Sequence, residues 1–240
     1  MKKENKKEMP FLDHLEELRW RILKSLIAVF IMTVICFSFS DILLEILLYP
    51  GQHIDPPVKL QVLKVQTKFI IKLEIALIAG IIFSLPIILY QIWKFVAPGL
   101  LKNEKRILPF ISFAVALCFL IGVIFAYFVI IPYALFFFIN LGPVDIESNI
   151  ALDFYIGFIL RILVAFGIVF ELPALSFLLT KIGLLTPAIM KKYRKYAIVG
   201  AFILAAILTP PDPMTQFFLA LPLVILYEVS IFISYLFQSK

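Results

Sequence analysis

Two carboxylates stand where carboxylates are costly. Glu171 lies in Phe170-Glu171-Leu172-Pro173 and Glu228 in Tyr227-Glu228-Val229-Ser230, each inside a long apolar run. An ionisable group in hydrocarbon needs water or a partner, and a functional role is its default reading. Each sits about nine residues from one end of its run, so the two carboxyls are expected at similar depth. Two arrangements are open: a polar patch facing a wet cavity, or a neutral carboxyl hydrogen-bonded to a neighbouring helix. Arg161 precedes Glu171 by ten residues, about 280° around a helix. The two are not expected to pair; Arg161 is expected to snorkel to the nearer interface.

Other chemistry is sparse. His14 and His53 fall on opposite sides of the first apolar run, and no Ser/His or Cys/His pair can be drawn. Cys36 and Cys118 lie in different apolar runs without metal-ligand spacing, which reads as buried packing. No glycine-rich phosphate loop is present. Catalysis, a metal and a cofactor are therefore not expected. Two polar stretches remain: Phe11–Arg21 (FLDHLEELRWR) and Lys94–Arg106 (KFVAPGLLKNEKR), which mix carboxylates with many bases. Each reads on its own as a solvated loop.

These residues hang on an apolar scaffold. The chain has 240 residues, 62% hydrophobic and 16% charged, with mean hydropathy +1.04. Soluble domains are nearer half apolar and a quarter charged, so lipid must be the solvent. The net charge of +6 would raise nucleic acid as a partner in a soluble protein. Here the bases lie between apolar runs, so membrane orientation explains them and no nucleic acid is expected.

Six runs are expected as helices: 22–39, 69–90, 107–131, 152–179, 196–209 and 217–237, because backbone in hydrocarbon must satisfy itself. Residues 1–21 read as an amphipathic segment before the first run, with no small-residue cleavage site after it. The whole chain, 1–240, reads as one polytopic all-α membrane domain. Lys and Arg number seven before and at the start of the first run, four after the second, five after the fourth, and one at Lys240, against four in the first loop on the other side. Such asymmetry predicts both termini inside.

The fifth run has 14 residues, about 21 Å as a helix against a ~30 Å hydrocarbon core. After Pro210-Pro211-Asp212-Pro213 the sixth run returns, so the two form a short antiparallel hairpin. Ala197, Ala201 and Ala205 repeat every fourth residue and offer a face for close helix approach, internal or from another protein. Asp41–Tyr49 is too short to span and is expected at the interface or on the outer ends of the spans, broken by Pro50, Gly51, Pro56 and Pro57. Pro132 is expected to interrupt the run after the third span, and Pro86, Pro173 and Pro222 invite kinks.

Several of these segments resemble one family in order along nearly the whole chain. His14-Leu15-Glu16-Glu17-Leu18-Arg19 is similar to the HL-x-ELR signature of the TatC family. Leu89 to Leu100, with Glu104-Lys105-Arg106, resembles its first cytoplasmic loop. Ala165 to Pro173 resembles its fourth span, and Thr209 to Asp212 with Leu226-Tyr227-Glu228 its last hairpin. At the start of the second span, where the family often has an acidic residue, this chain reads Gln66-Thr67-Lys68.

The resemblance implies a concave six-helix bundle in the bacterial cytoplasmic (inner) membrane. It implies a receptor for twin-arginine signal peptides of folded proteins, binding at the cytoplasmic face through Glu17, Arg19, Phe95, Pro98 and Glu104. TatB-like and TatA-like single-span partners would join it, in homo- and hetero-oligomers, for export driven by the proton-motive force. Glu171 would be the family's intramembrane glutamate, inside a concave face, and Glu228, from its own place in an apolar run, joins it as an intramembrane polar residue. Asp212 and Gln216 would serve the outer hairpin and its partner contacts, with Ala197, Ala201 and Ala205 beside them. The rival from the residues alone is a proton-coupled transporter using Glu171 and Glu228.

Overall fold

Apolar runs in a bilayer must close their own backbone hydrogen bonds, and these runs close them as helices. The computed structural model describes residues 11–96, 108–140, 149–181, 183, 185–208 and 213–237. Helix α1 (Phe11–Ser38) is followed by α2 (Ser40–Gln52) and a strand, β1 (Lys59–Gln61). Then come α3 (Thr67–Val96), α4 (Leu108–Phe125), a π-helical turn (Ala126–Ile130) and α5 (Ile131–Asn140). Strand β2 (Asn149–Ala151) leads into α6 (Leu152–Val169) and α7 (Leu172–Lys181), and α8 (Pro187–Leu208) and α9 (Pro213–Phe237) complete the chain. Among the described residues, five helical stretches are long and apolar enough to cross a membrane: His14–Ser38, Thr67–Ile92, Phe113–Asn140, Leu152–Lys181 and Gln216–Phe237.

The differences from the sequence expectation have local causes. Pro132 does not interrupt its helix. Its ring would strike the carbonyl four residues back; the π turn widens the ladder just before it, with the Ile131 N–H bonded to the Ala126 carbonyl. Pro50 and Gly51 lie within α2, which ends at Gln52, before Pro56 and Pro57. The fifth run is the apolar part of a longer helix: α8 has 22 residues, about 33 Å, and its first turns carry Lys191, Lys192, Arg194 and Lys195. The all-α expectation needs one amendment, since β1 pairs in parallel with β2, Lys59 opposite Asn149 and Gln61 opposite Ala151.

Two glycines bring backbones together. A Cβ on Gly80 of α3 would lie 2.7 Å from the Thr33 nitrogen of α1. One on Gly122 of α4 would lie 2.6 Å from the Phe166 carbonyl of α6. The core between them holds Ile71, Ile75, Ile156, Ile159, Ile162 and Phe166, all fully buried.

Tyr155 ties α2 down onto α6. Its hydroxyl donates to the Leu47 carbonyl at 3.0 Å and accepts the Gly51 N–H at 3.1 Å. Tyr127 adds a bond from its hydroxyl to the Ile46 carbonyl at 2.7 Å. The short apolar helix thus packs on the ends of the spans. Tyr155→Phe would leave the buried Gly51 N–H without its acceptor, a loss of about 1–3 kcal/mol. The expected result is a lowered Tm in detergent with unchanged helicity by circular dichroism; an unchanged Tm would remove the tie.

Candidate functional site

The start of α1 and the end of α3 meet at one end of the bundle. His14 stacks on Phe95 with ring centroids 4.2 Å apart and planes 11° apart. One turn along α1, Glu17 is ion-paired with Arg21, and its Oε2 lies 3.7 Å from His14 Nδ1. That Oε2 is shielded from solvent and accepts no hydrogen bond among the described residues. Glu17 and Phe95 are therefore brought together through His14, a link the motif did not disclose. Arg19 is exposed and lies on a different face of α1. Pro98 and Glu104 lie outside the described residues.

Glu171 occupies the turn between α6 and α7. Pro173 supplies no N–H and cannot continue the α6 ladder past Val169. The chain turns instead, with the Glu171 N–H bonded to the Ile168 carbonyl at 3.1 Å and the Leu175 N–H to the Glu171 carbonyl at 2.8 Å. The carboxyl faces α4 beside Cys118 and Phe119. Both carboxyl oxygens are closed to solvent and lack a well-aligned hydrogen-bond donor among the described residues. The neighbouring Ile168 and Val169 line the groove between α3, α6 and α8.

Glu228 has a different role from Glu171. Arg194 of α8 grips it with both arms, Nη2 to Oε2 at 2.8 Å and Nε to Oε1 at 2.7 Å. Bidentate guanidinium–carboxylate pairs fix orientation, so this pair sets α9 against the start of α8. Hydroxyl groups then lock α7 to α9. The Ser176 hydroxyl donates to the Ser230 carbonyl at 3.1 Å, and Thr180 Oγ1 lies 2.6 Å from Ser234 Oγ. This register puts Glu171 level with Ile225, so the two carboxylates differ in depth by about 4.5 Å. They have separate partners, since one is held by a cation and the other is closed in beside α4.

In the hairpin, the Gln216 side-chain amide donates to the Phe202 carbonyl at 3.0 Å. Ala201 and Ala205 are buried in the cluster that includes Leu219, Ala220 and Leu223 of α9. Their small side chains therefore serve the internal α8–α9 contact, while Ala197 is only half-buried. Asp212 lies outside the described residues. Arg161 bonds the Gly157 carbonyl at 2.9 Å, turned back along α6 as snorkelling requires.

Sequence reasoning passed over Glu74, Asp153 and Lys64, which line the groove with Arg161. Glu74 could have been found, as an ionisable residue inside an apolar run.

The family described as Sec-independent protein translocase protein (TatC) matches residues 13–222. The chain belongs to the TatC family. A TatC from Aquifex aeolicus (strain VF5) is 41% identical over 234 residues, covering 97% of both chains. One from Carboxydothermus hydrogenoformans is 41% identical over 98% of this chain and 96% of that one. A crystal structure described as the twin-arginine translocase receptor TatC superposes with TM-score 0.85 at 40% identity, over 94% of this chain and 100% of the other. TatC proteins are components of a Sec-independent protein translocase, and this chain is a multi-pass member.

The Glu228–Arg194 geometry gives a test. Both side chains are nearly half exposed, so their coupling is expected at about 0.2–1 kcal/mol. Glu228→Arg and Arg194→Glu should each lower the Tm, and the double reversal should recover most of the loss. Additive losses would show that the pair does not couple α8 to α9.

Proposed function

We propose that this TatC protein is the receptor subunit of a twin-arginine translocase in the bacterial inner membrane. In this reading it binds twin-arginine signal peptides of folded proteins at the cytoplasmic face. It then recruits TatB-like and TatA-like single-span partners for export driven by the proton-motive force. It spans the membrane six times with both termini inside, α8 making the fifth crossing, and has no catalytic activity of its own. The Lys and Arg asymmetry supports the orientation. The length of α8, with its basic first turns at the headgroup level, supports the crossing.

The observation that carries the binding reading is Glu17, held against His14 and Phe95 amid the basic residues of the α1 start. A twin-arginine peptide brings two guanidinium forks, which seek carboxylates. Glu17 keeps one oxygen without a hydrogen bond among the described residues, and its ion-pair partner, Arg21, is a local side chain that an incoming guanidinium would displace. Phe95 offers an apolar and aromatic surface beside it. In this reading Glu104 is the second carboxylate, with Arg19 and Pro98 completing the site. Gln216 and Asp212 mark the hairpin where a partner helix docks, and Ala197 is the member of its stripe left for that contact.

Photo-crosslinking of a twin-arginine precursor to the protein in membranes tests the site. Glu17→Ala and Glu104→Ala are each expected to reduce the crosslink at least about tenfold, the equivalent of 1.4 kcal/mol. Phe95→Ala should reduce it less. Full retention in both glutamate variants would discard the site. For Glu171, sealed against α4, export is expected to survive Glu171→Gln better than Glu171→Ala. Equal loss in both would indicate a need for charge.

A further inference from the structure

The receptor reading makes no use of the groove between α3, α6 and α8. It encloses about 880 Å³. Charges of both signs gather toward the end where α3 and α6 begin. Lys64 immediately precedes α3, Glu74 lies two turns into it, and Asp153 is in the first turn of α6. Arg161 reaches back toward them by bonding the Gly157 carbonyl. Farther in, the wall is apolar, with Leu77 and Ile78 facing Val164, Ile168 and Leu223.

Among the described residues, Lys64, Glu74 and Asp153 have no ion-pair partner, although Lys72 nearby is paired with Asp41 at 2.6 Å. Asp153 suits the positive end of the α6 dipole, but one of its oxygens is buried without a hydrogen bond. Glu74 has no such excuse. Unpaired charges of both signs beside hydrocarbon are costly, and an occupant that answers both signs would relieve them.

The lining narrows the occupant, which must answer both signs of charge at one end of the groove and an apolar wall farther in. A purely anionic headgroup would answer Lys64 and Arg161 but face Glu74 and Asp153. We infer that the groove binds one zwitterionic phospholipid with a primary ammonium headgroup. Its phosphate takes Lys64 and the Arg161 fork, the fit for which guanidinium is suited. Its ammonium, with three donors, bonds Glu74 and Asp153, and its acyl chains lie along the apolar wall. A choline headgroup has no N–H to give and should bind less well.

Native mass spectrometry of the purified protein, equilibrated separately with phosphatidylethanolamine, phosphatidylcholine and phosphatidylglycerol, tests this. One phosphatidylethanolamine should be retained per chain, at least about fivefold more strongly than either other lipid. Glu74→Gln and Arg161→Gln should each erase that preference. Lys64→Gln, on the exposed segment before α3, should weaken it without lowering the Tm, which separates headgroup loss from misfolding. Equal retention of the three lipids, preference for phosphatidylglycerol, or a preference unchanged in all three variants would overturn the assignment. So would a groove found filled by a polypeptide segment.

Discussion

Hydrocarbon offers backbone groups no partner, so each irregularity in these helices has to close its own hydrogen bonds. That requirement shapes the bundle at two places. At Pro132 the ladder widens into a π turn and the helix runs on to Asn140. At Pro173 the ladder is cut, and the Phe170–Glu171 turn restarts it as α7. The second solution has a consequence that the first does not. It places a carboxyl at the break, beside Cys118 and Phe119 of α4. The same break frees α7 to follow α9, where Ser176, Thr180, Ser230 and Ser234 bond along a shared seam that is buried throughout. Hydroxyl seams of this kind suit lipid-embedded helices, which gain little from the hydrophobic effect against one another.

Much of the scaffold was legible in the sequence because apolar length is a direct consequence of bilayer thickness. The runs at 22–39, 69–90, 152–179 and 217–237 each lie within a helix or a helix pair of the structure. What stayed hidden depended on neighbours in space. The start of α8 looked like a loop because four bases occupy it, yet Arg194 is held by Glu228 and the helix continues through them. The β1–β2 pair joins residues about ninety apart, a separation no local pattern reports. Pro132 and Pro50 carry a general tendency to break helices, and tertiary context decided both cases the other way.

The candidate site divides along the same line. Glu17 and Phe95 could be nominated from motifs, but their meeting through the stacked His14 ring could not. Glu171 and Glu228 looked equivalent in the sequence, as carboxylates at matching distances from the run ends. The structure separates them by partner: a bidentate guanidinium for Glu228 and a closed pocket beside Phe119 for Glu171. The alanine stripe was ambiguous for the same reason, and burial against α9 assigns Ala201 and Ala205 to the hairpin itself. Glu74 is a single acid two turns into an otherwise apolar stretch of α3, and only the fold brings it beside Asp153 and Arg161 in one groove.

The central claim is that carboxylates at the base-rich end of a six-span TatC bundle select the two adjacent arginines of a signal peptide. Its most direct measurement is co-purification of the protein, from membranes in mild detergent, with a twin-arginine precursor and with the same precursor carrying Lys-Lys. Lysine keeps the charge but loses the planar fork, so the account predicts strong recovery of the Arg-Arg precursor and little of the Lys-Lys form. Equal recovery of the two would contradict it, because net charge alone would then be sufficient.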